Sequence, residues 1–193
     1  MALSSSSVNL FESNQVSLSV SAECTLDFLK DHGFFYQSSA ALGQLVDELY
    51  ETSRARSDDV RLGYFLPTLR QDLRLKAVLD HYPVETRFRF PWGTTGGYYN
   101  WNLASDAGAE TGLIIYLLGS ASQWFCRDGA HKLESDGKLV PNGTYELSDE
   151  LLEDYPKRVL AMEEGGFLAV HPRTAHRGVT GRSITLGLRT RPV

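Results

Sequence analysis

Two side-chain amides, Asn100 and Asn102, stand two residues apart in GGYYNWNLASD, residues 96 to 106, among Tyr98, Tyr99 and Trp101. On a strand, Asn100 and Asn102 point the same way with Tyr98, while Tyr99 and Trp101 face the opposite side. Buried amides need hydrogen-bond partners, so a strand carrying two of them is a candidate for holding an oxygen of a ligand. Amides do not shuttle protons; they orient a substrate and stabilise charge that grows on its oxygen. Proton transfer falls to histidine, present as His32, His81, His131, His171 and His176. His32 and His81 end helical stretches, where imidazole serves terminal carbonyls. His171 and His176 flank the turn in GGFLAVHPRTAHRG. That turn sets His176 at a barrel mouth, and His131 in DGAHKL is a second candidate for proton transfer.

Aromatic side chains complete the candidate pocket. Trp92 lies in FPWGTTGG at an expected rim, Tyr116 in GLIIYLL, and Trp124 on SQWFCR shares a face with Ser122 and Cys126. Any one such ring is explained by core packing. Their conjunction with Asn100 and Asn102 points to a ligand pocket. Other chemistries lack anchors. GTTGG has no following Lys-Ser/Thr and leads into a strand, and no Gly-x-Ser-x-Gly occurs. Cys24 and Cys126 are far apart and fit two reduced thiols rather than a metal site.

The elements that position these groups change character along the 193 residues, which are read as one domain. Residues 1–18 are Ser/Asn-rich and read as a loose arm. Residues 19–83 are mainly helical: SAECTLDFLKDHG with Ser21 as cap and Gly33 as terminator, then FFYQ as a strand. A helix around Leu42, Leu45, Val46, Leu49 and Tyr50 follows, and then a third one across LPTLRQDLRLKAVLDHY. Residues 84–193 read as strands: VETRFRF, GYYNWNLA, GLIIYLLGS, SQWFCR, GGFLAVHP and SITLGLRTR. Their one interruption is a short helix, SDELLEDYPKR, capped by Ser148. Helices followed by a run of strands predict an α+β fold with an antiparallel sandwich or barrel. A net charge of −5 argues against nucleic-acid and anionic-membrane partners. Without a basic and apolar leader or a spanning run, the chain reads as cytoplasmic.

The order of these segments resembles a small iron(II)/2-oxoglutarate oxygenase of the phytanoyl-CoA dioxygenase type. The resemblance spans roughly residues 24 to 193 and rests on YYNWNLA, GLIIYLLGSASQWFCRDGAHKL, GGFLAVHPRTAHRG and GRSITLGLRTRP. It implies a double-stranded β-helix, a jelly-roll or cupin-like barrel with N-terminal helices packed on it. DGAHKL stands where the family has Gly-Ser-His-Lys, His176 where it has its distal iron-binding histidine, and Arg182 where it has the cosubstrate arginine. Arg189 is the other arginine on the last strand and lies on the opposite face by parity. The departure is at Asn100-Trp101-Asn102, aligned with the family's His-x-Asp. Neutral amides replace both an imidazole and the carboxylate that offsets the charge of iron. The expectation is therefore no metal and no cofactor.

Three functions follow as expectations. The first is a metal-independent isomerase or cyclase, including a pericyclic (Diels–Alder-type) one, acting on an apolar natural-product intermediate. Asn100, Asn102, His176 and Tyr98 would be catalytic, and Trp92, Trp124, Tyr116, His131 and Arg182 would bind substrate. The second is an Fe(II)/2-oxoglutarate oxygenase with displaced ligands, drawn from His131, Glu134 or Asp136. The third is a non-catalytic partner of an oxygenase homologue; a homodimer is the other assembly considered.

Overall fold

The computed structural model describes residues 9–57, 59–86, 96–101, 112–134, 137–141 and 143–191. Four helices precede most of the strands: α1 (Thr25–His32), α2 (Ala40–Glu51), α3 (Leu62–Leu69) and α4 (Leu73–His81), with β1 (Phe34–Ser38) between α1 and α2. The strands that follow are β2 (Val84–Thr86), β3 (Tyr98–Trp101), β4 (Gly112–Leu118), β5 (Ser122–Arg127), β6 (Lys138–Leu139) and β7 (Thr144–Leu147). The last are β8 (Lys157–Met162), β9 (Gly166–Val170), β10 (His176–Thr180) and β11 (Ser183–Arg189). Among the described residues they form two antiparallel sheets, β1-β9-β4-β11-β2 and β6-β7-β3-β10-β5-β8. This is the expected α+β arrangement, a jelly-roll-like barrel with helices on one side.

Both faces of the first sheet are buried, which explains its strand sequences. GLIIYLL and GFLAV are continuous apolar runs because one face meets the helices and the other meets the second sheet. The second sheet has a wet side, and SQWFCR alternates buried and half-buried residues accordingly.

Three local expectations are corrected. The single helix expected across residues 66–82 is two, because the Asp72 carboxylate caps a new start by accepting the Arg74 and Leu75 amides at 2.7 and 3.2 Å. The expected helix after Ser148 is only a 3-10 turn, Glu150–Leu152. Residues 9–17, expected within a loose arm, are fastened to the barrel. The Ala161 amide donates to the Ser13 carbonyl at 2.7 Å, and the Tyr36 hydroxyl donates to the Glu12 carbonyl at 2.5 Å. Buried Arg74 donates to the Val16 and Ser17 carbonyls at 2.9 and 3.1 Å. Gly33 terminates α1 in the left-handed conformation (φ 81°), as expected, its amide bonding the Leu29 carbonyl at 2.8 Å. Among the described residues no helix is long and apolar enough to cross a membrane.

Candidate functional site

Strand pairing decides which side chains meet inside. His176 lies opposite Tyr99 of β3 on one side and Cys126 of β5 on the other. Trp124 and Trp101 share that interior face by parity. From the facing sheet, Tyr116 of β4 reaches across to them. Its hydroxyl lies 2.6 Å from His176 Nε2 and accepts from Trp101 Nε1 at 3.0 Å. His176 Nδ1 lies 2.7 Å from the Thr174 carbonyl. The rings of Tyr116 and Trp124 are 4.4 Å apart, and Trp124 runs within 20° of parallel to His176.

The hydrogen-bond directions follow from chemistry. A carbonyl only accepts, so Nδ1 of His176 carries the proton that goes to Thr174. Burial pushes the imidazole down to about 4, so the ring is neutral and Nε2 is an acceptor. The Tyr116 hydroxyl therefore donates to Nε2, and the chain runs Trp101 N–H to Tyr116 oxygen, Tyr116 O–H to His176, His176 N–H to Thr174. Burial also holds the Tyr116 phenol well above its ordinary range and raises the Cys126 thiol. The interior group is polar, hydrogen-bonded and uncharged.

The faces of β3 are exchanged relative to expectation. Trp101, not Asn100, looks into the barrel, because the interior is filled by large rings and the indole is the larger apolar group. Tyr98 instead joins an outer cluster with Leu147, Leu152 and Ala175, covered by Arg127 at 4.8 Å and Arg177 at 5.1 Å. Asn100 is buried beneath the turn before β10, where Nδ2 donates to the Arg173 carbonyl at 3.4 Å; its Oδ1 is buried without a partner. Asn102 and Trp92 lie outside the described residues.

Two further expectations are corrected. Arg182 sits at the far end of β10 and β11 and turns outward to α2, 4.0 Å from Asp47 and over the Tyr50 ring. Strand parity puts Arg189, not Arg182, on the interior face with Tyr116. His131 is on a 3-10 turn outside the barrel, where Nε2 lies 2.9 Å from the Lys30 carbonyl and the ring packs beside Gly33 and His171. Tyr116, Trp124 and His176 are thus brought together; Tyr98, Asn100, Arg182 and His131 are elsewhere.

The iron and oxoacid implied by the resemblance were tested against this donor set. Among the described residues no three His, Cys, Asp or Glu side chains converge to hold a metal. His176 Nε2 is engaged by Tyr116, and its cross-strand neighbours are a protonated thiol and a tyrosine. The described residues do not fit an iron centre. Trp101 and Thr185 are the interior residues missed in the sequence. For Thr185 a signal existed: SITLGLR places Ser183, Thr185 and Gly187 on one face and Ile184, Leu186 and Leu188 on the other.

Comparison with solved structures agrees with the barrel. No family model and no curated protein matches the sequence. AviO1 from Streptomyces viridochromogenes Tue57 is similar in structure at 11% identity, TM-score 0.55, over 92% of this chain and 100% of that one. HygX from Streptomyces hygroscopicus, with iron bound, is similar at 13% identity and TM-score 0.53, over 86% of this chain and 85% of that one. The epimerase SnoN, in complex with Fe3+, alpha ketoglutarate and nogalamycin RO, is similar at 14% identity and TM-score 0.52, over 88% and 83%. The chain has the fold of the non-heme iron/2-oxoglutarate oxygenase-type proteins.

Proposed function

We propose that the chain is a metal-independent isomerase or cyclase acting on an apolar, oxygen-bearing natural-product intermediate between its two sheets. The observation that carries this reading is the buried, uncharged chain Trp101–Tyr116–His176–Thr174. A Tyr116 phenol that resists ionisation works as a hydrogen-bond donor. Rotation about its C–O bond redirects that donor from His176 to a substrate carbonyl, with Trp101 still bonded to the phenol oxygen. The enolate oxygen that forms under the Tyr116 donor offsets the imidazolium that the empty interior disfavours. Nε2 of His176 therefore accepts the proton from the carbon beside the carbonyl and returns it elsewhere on the same molecule. A proton taken and returned leaves the formula unchanged, which is isomerisation. The surrounding rings hold a flexible substrate in a reactive shape, which serves ring closure equally. The likeness to an epimerase supports the class of reaction at a coarse level.

The test uses chelator-treated protein under anaerobic conditions in deuterium oxide, with a panel of uncharged polyene and polycyclic ketones. The expected result is an isomer of unchanged formula or deuterium wash-in beside the carbonyl. Tyr116→Phe should slow it about a hundredfold or more. Conversion only with added iron, dioxygen and 2-oxoglutarate, with succinate formed, overturns the proposal in favour of an oxygenase.

A further inference from the structure

The buried part of the interior face of β11 is built from small residues, with Arg189 only at its exposed end, whereas its neighbours bring rings. Thr185 stands directly opposite Tyr116 in the β4 register, with Ser183 and Gly187 on either side of it on the same face. Thr185 is 1% exposed, and its Oγ1 is buried without a hydrogen-bond partner. Other hydroxyls at strand ends are satisfied: Ser122 donates to the Gly119 carbonyl at 2.7 Å and Thr174 to the Gly33 carbonyl at 2.6 Å. A valine would occupy the Thr185 position in the same shape without burying an unused hydroxyl. The hydroxyl is therefore a cost to the empty fold that a bound oxygen atom would remove.

We infer that Thr185 is the anchor for a carbonyl oxygen of the ligand, and that this ligand is a flat ketone. The inference rests on the reading of the interior as a ligand chamber. Directly beside Thr185 the neighbours carry no charge, since Tyr116 stays a phenol, Cys126 a thiol and His176 neutral, so the group bound at Thr185 is a neutral carbonyl. Arg189, the cation on the same face, stands four residues further on at the exposed end of β11. Tyr116, Trp124 and His176 pack directly on one another, with centroids 4.4 to 6.2 Å apart. The ligand therefore lies against this group of rings and not between them, and a flat outline makes the most of that contact. Gly187 has no side chain, so Thr185 is not screened by its own strand on the side toward the end of β11. The Thr185 O–H donates to the ketone there, leaving Tyr116 to face the same molecule across the strand pair.

The probe is a matched pair, 2-acetylnaphthalene and 2-isopropenylnaphthalene, in which a C=CH2 group replaces C=O in the same planar outline. Equilibrium dialysis of the full chain should show the ketone bound about tenfold more tightly than the hydrocarbon. Thr185→Val should bring the two within about twofold while raising the thermal midpoint by about 2–4 °C, and Thr185→Ser should keep the preference. The inference is overturned if the native chain binds neither probe, binds both equally, or keeps its preference in Thr185→Val. A preference lost in Thr185→Val without any isomerisation by the native chain would keep the anchor and retire the proposed reaction. Isomerisation abolished by Tyr116→Phe with the ketone preference intact in Thr185→Val would do the reverse.

Discussion

Strands β3, β5 and β10 carry opposite chemistry on their two faces, in residues adjacent along the chain. Inside stand Trp101 and His176, neutral and joined by hydrogen bonds through Tyr116, with the Trp124 ring packed on Tyr116 and His176. Outside stand Tyr98, Phe125 and Arg177 in a ladder of cations and rings. Arg127 covers Tyr98 at 4.8 Å, Arg177 lies over Tyr98 and Phe125 at 5.1 and 4.9 Å, and Lys157 covers Phe125 at 3.7 Å. Water reaches the outer cations, and Arg127 also meets the exposed Asp149 carboxylate at 3.1 Å. Inside, desolvation keeps Tyr116, Cys126 and His176 uncharged. The outer face sets cations against rings; around His176 the described residues of the inner face offer neutral hydrogen-bonding groups. That difference is why hydrogen-bond chemistry, rather than ion holding, is the reading of the interior.

The comparison breaks first if truncation costs the same on both faces. Trp124→Ala empties a fully enclosed site and should cost about 3–5 kcal/mol in urea unfolding. Phe125→Ala, one residue along and half-buried, should cost less than half as much. Equal losses would show that the outer ladder is as tightly packed as the interior.

Next in size is a pH effect confined to the inner face. His176 sits at about 4 in the fold and near 6.5 when unfolded. Above pH 6.5 both states are neutral and the stability is fully present. Between pH 6.5 and 4 the unfolded chain takes up a proton that the native interior refuses, so stability falls as pH falls, by about 3 kcal/mol in all. Tyr116 and Cys126 stay protonated throughout and do not contribute. His176→Gln should flatten this part of the profile, and an unchanged slope in that variant would assign it to other groups.

The sequence disclosed the parity of β3 but not its direction. Period-two spacing puts Tyr98 and Asn100 together against Tyr99 and Trp101 in either case. Which pair faces inward depends on the Trp101 contact with Tyr116, a partner fifteen residues away on the other sheet. Two buried faces on β4 removed the polar alternation that would have oriented it, whereas β11 kept one in Ser183, Thr185 and Gly187. His176 was legible because it opens β10 directly after a turn. Arg182 misled because its position was carried over from the family, whereas here it lies in the turn between β10 and β11, beside α2. The break between α3 and α4 was in plain view, since Asp72 precedes Leu73 in the manner of a cap, yet the leucine spacing on either side concealed it.

The smallest effect sharpens the outer half of the comparison. Arg177 donates to the Gly96 carbonyl at 3.1 Å and lies over two rings, so removing it alone mixes three losses. A double-mutant cycle with Arg177→Gln and Tyr98→Leu keeps the Gly96 and Phe125 contributions common to both legs and isolates the contact with Tyr98. A partly exposed guanidinium over a ring should give a coupling of about 0.5–1 kcal/mol. It should also weaken in high salt, because part of the attraction is screened by ions that reach the guanidinium. The Trp101–Tyr116 pair, measured with Trp101→Phe and Tyr116→Phe, should show no salt dependence, since neither member carries charge or meets solvent. A salt-sensitive inner coupling would place water and ions at Tyr116 and end the distinction between the two faces.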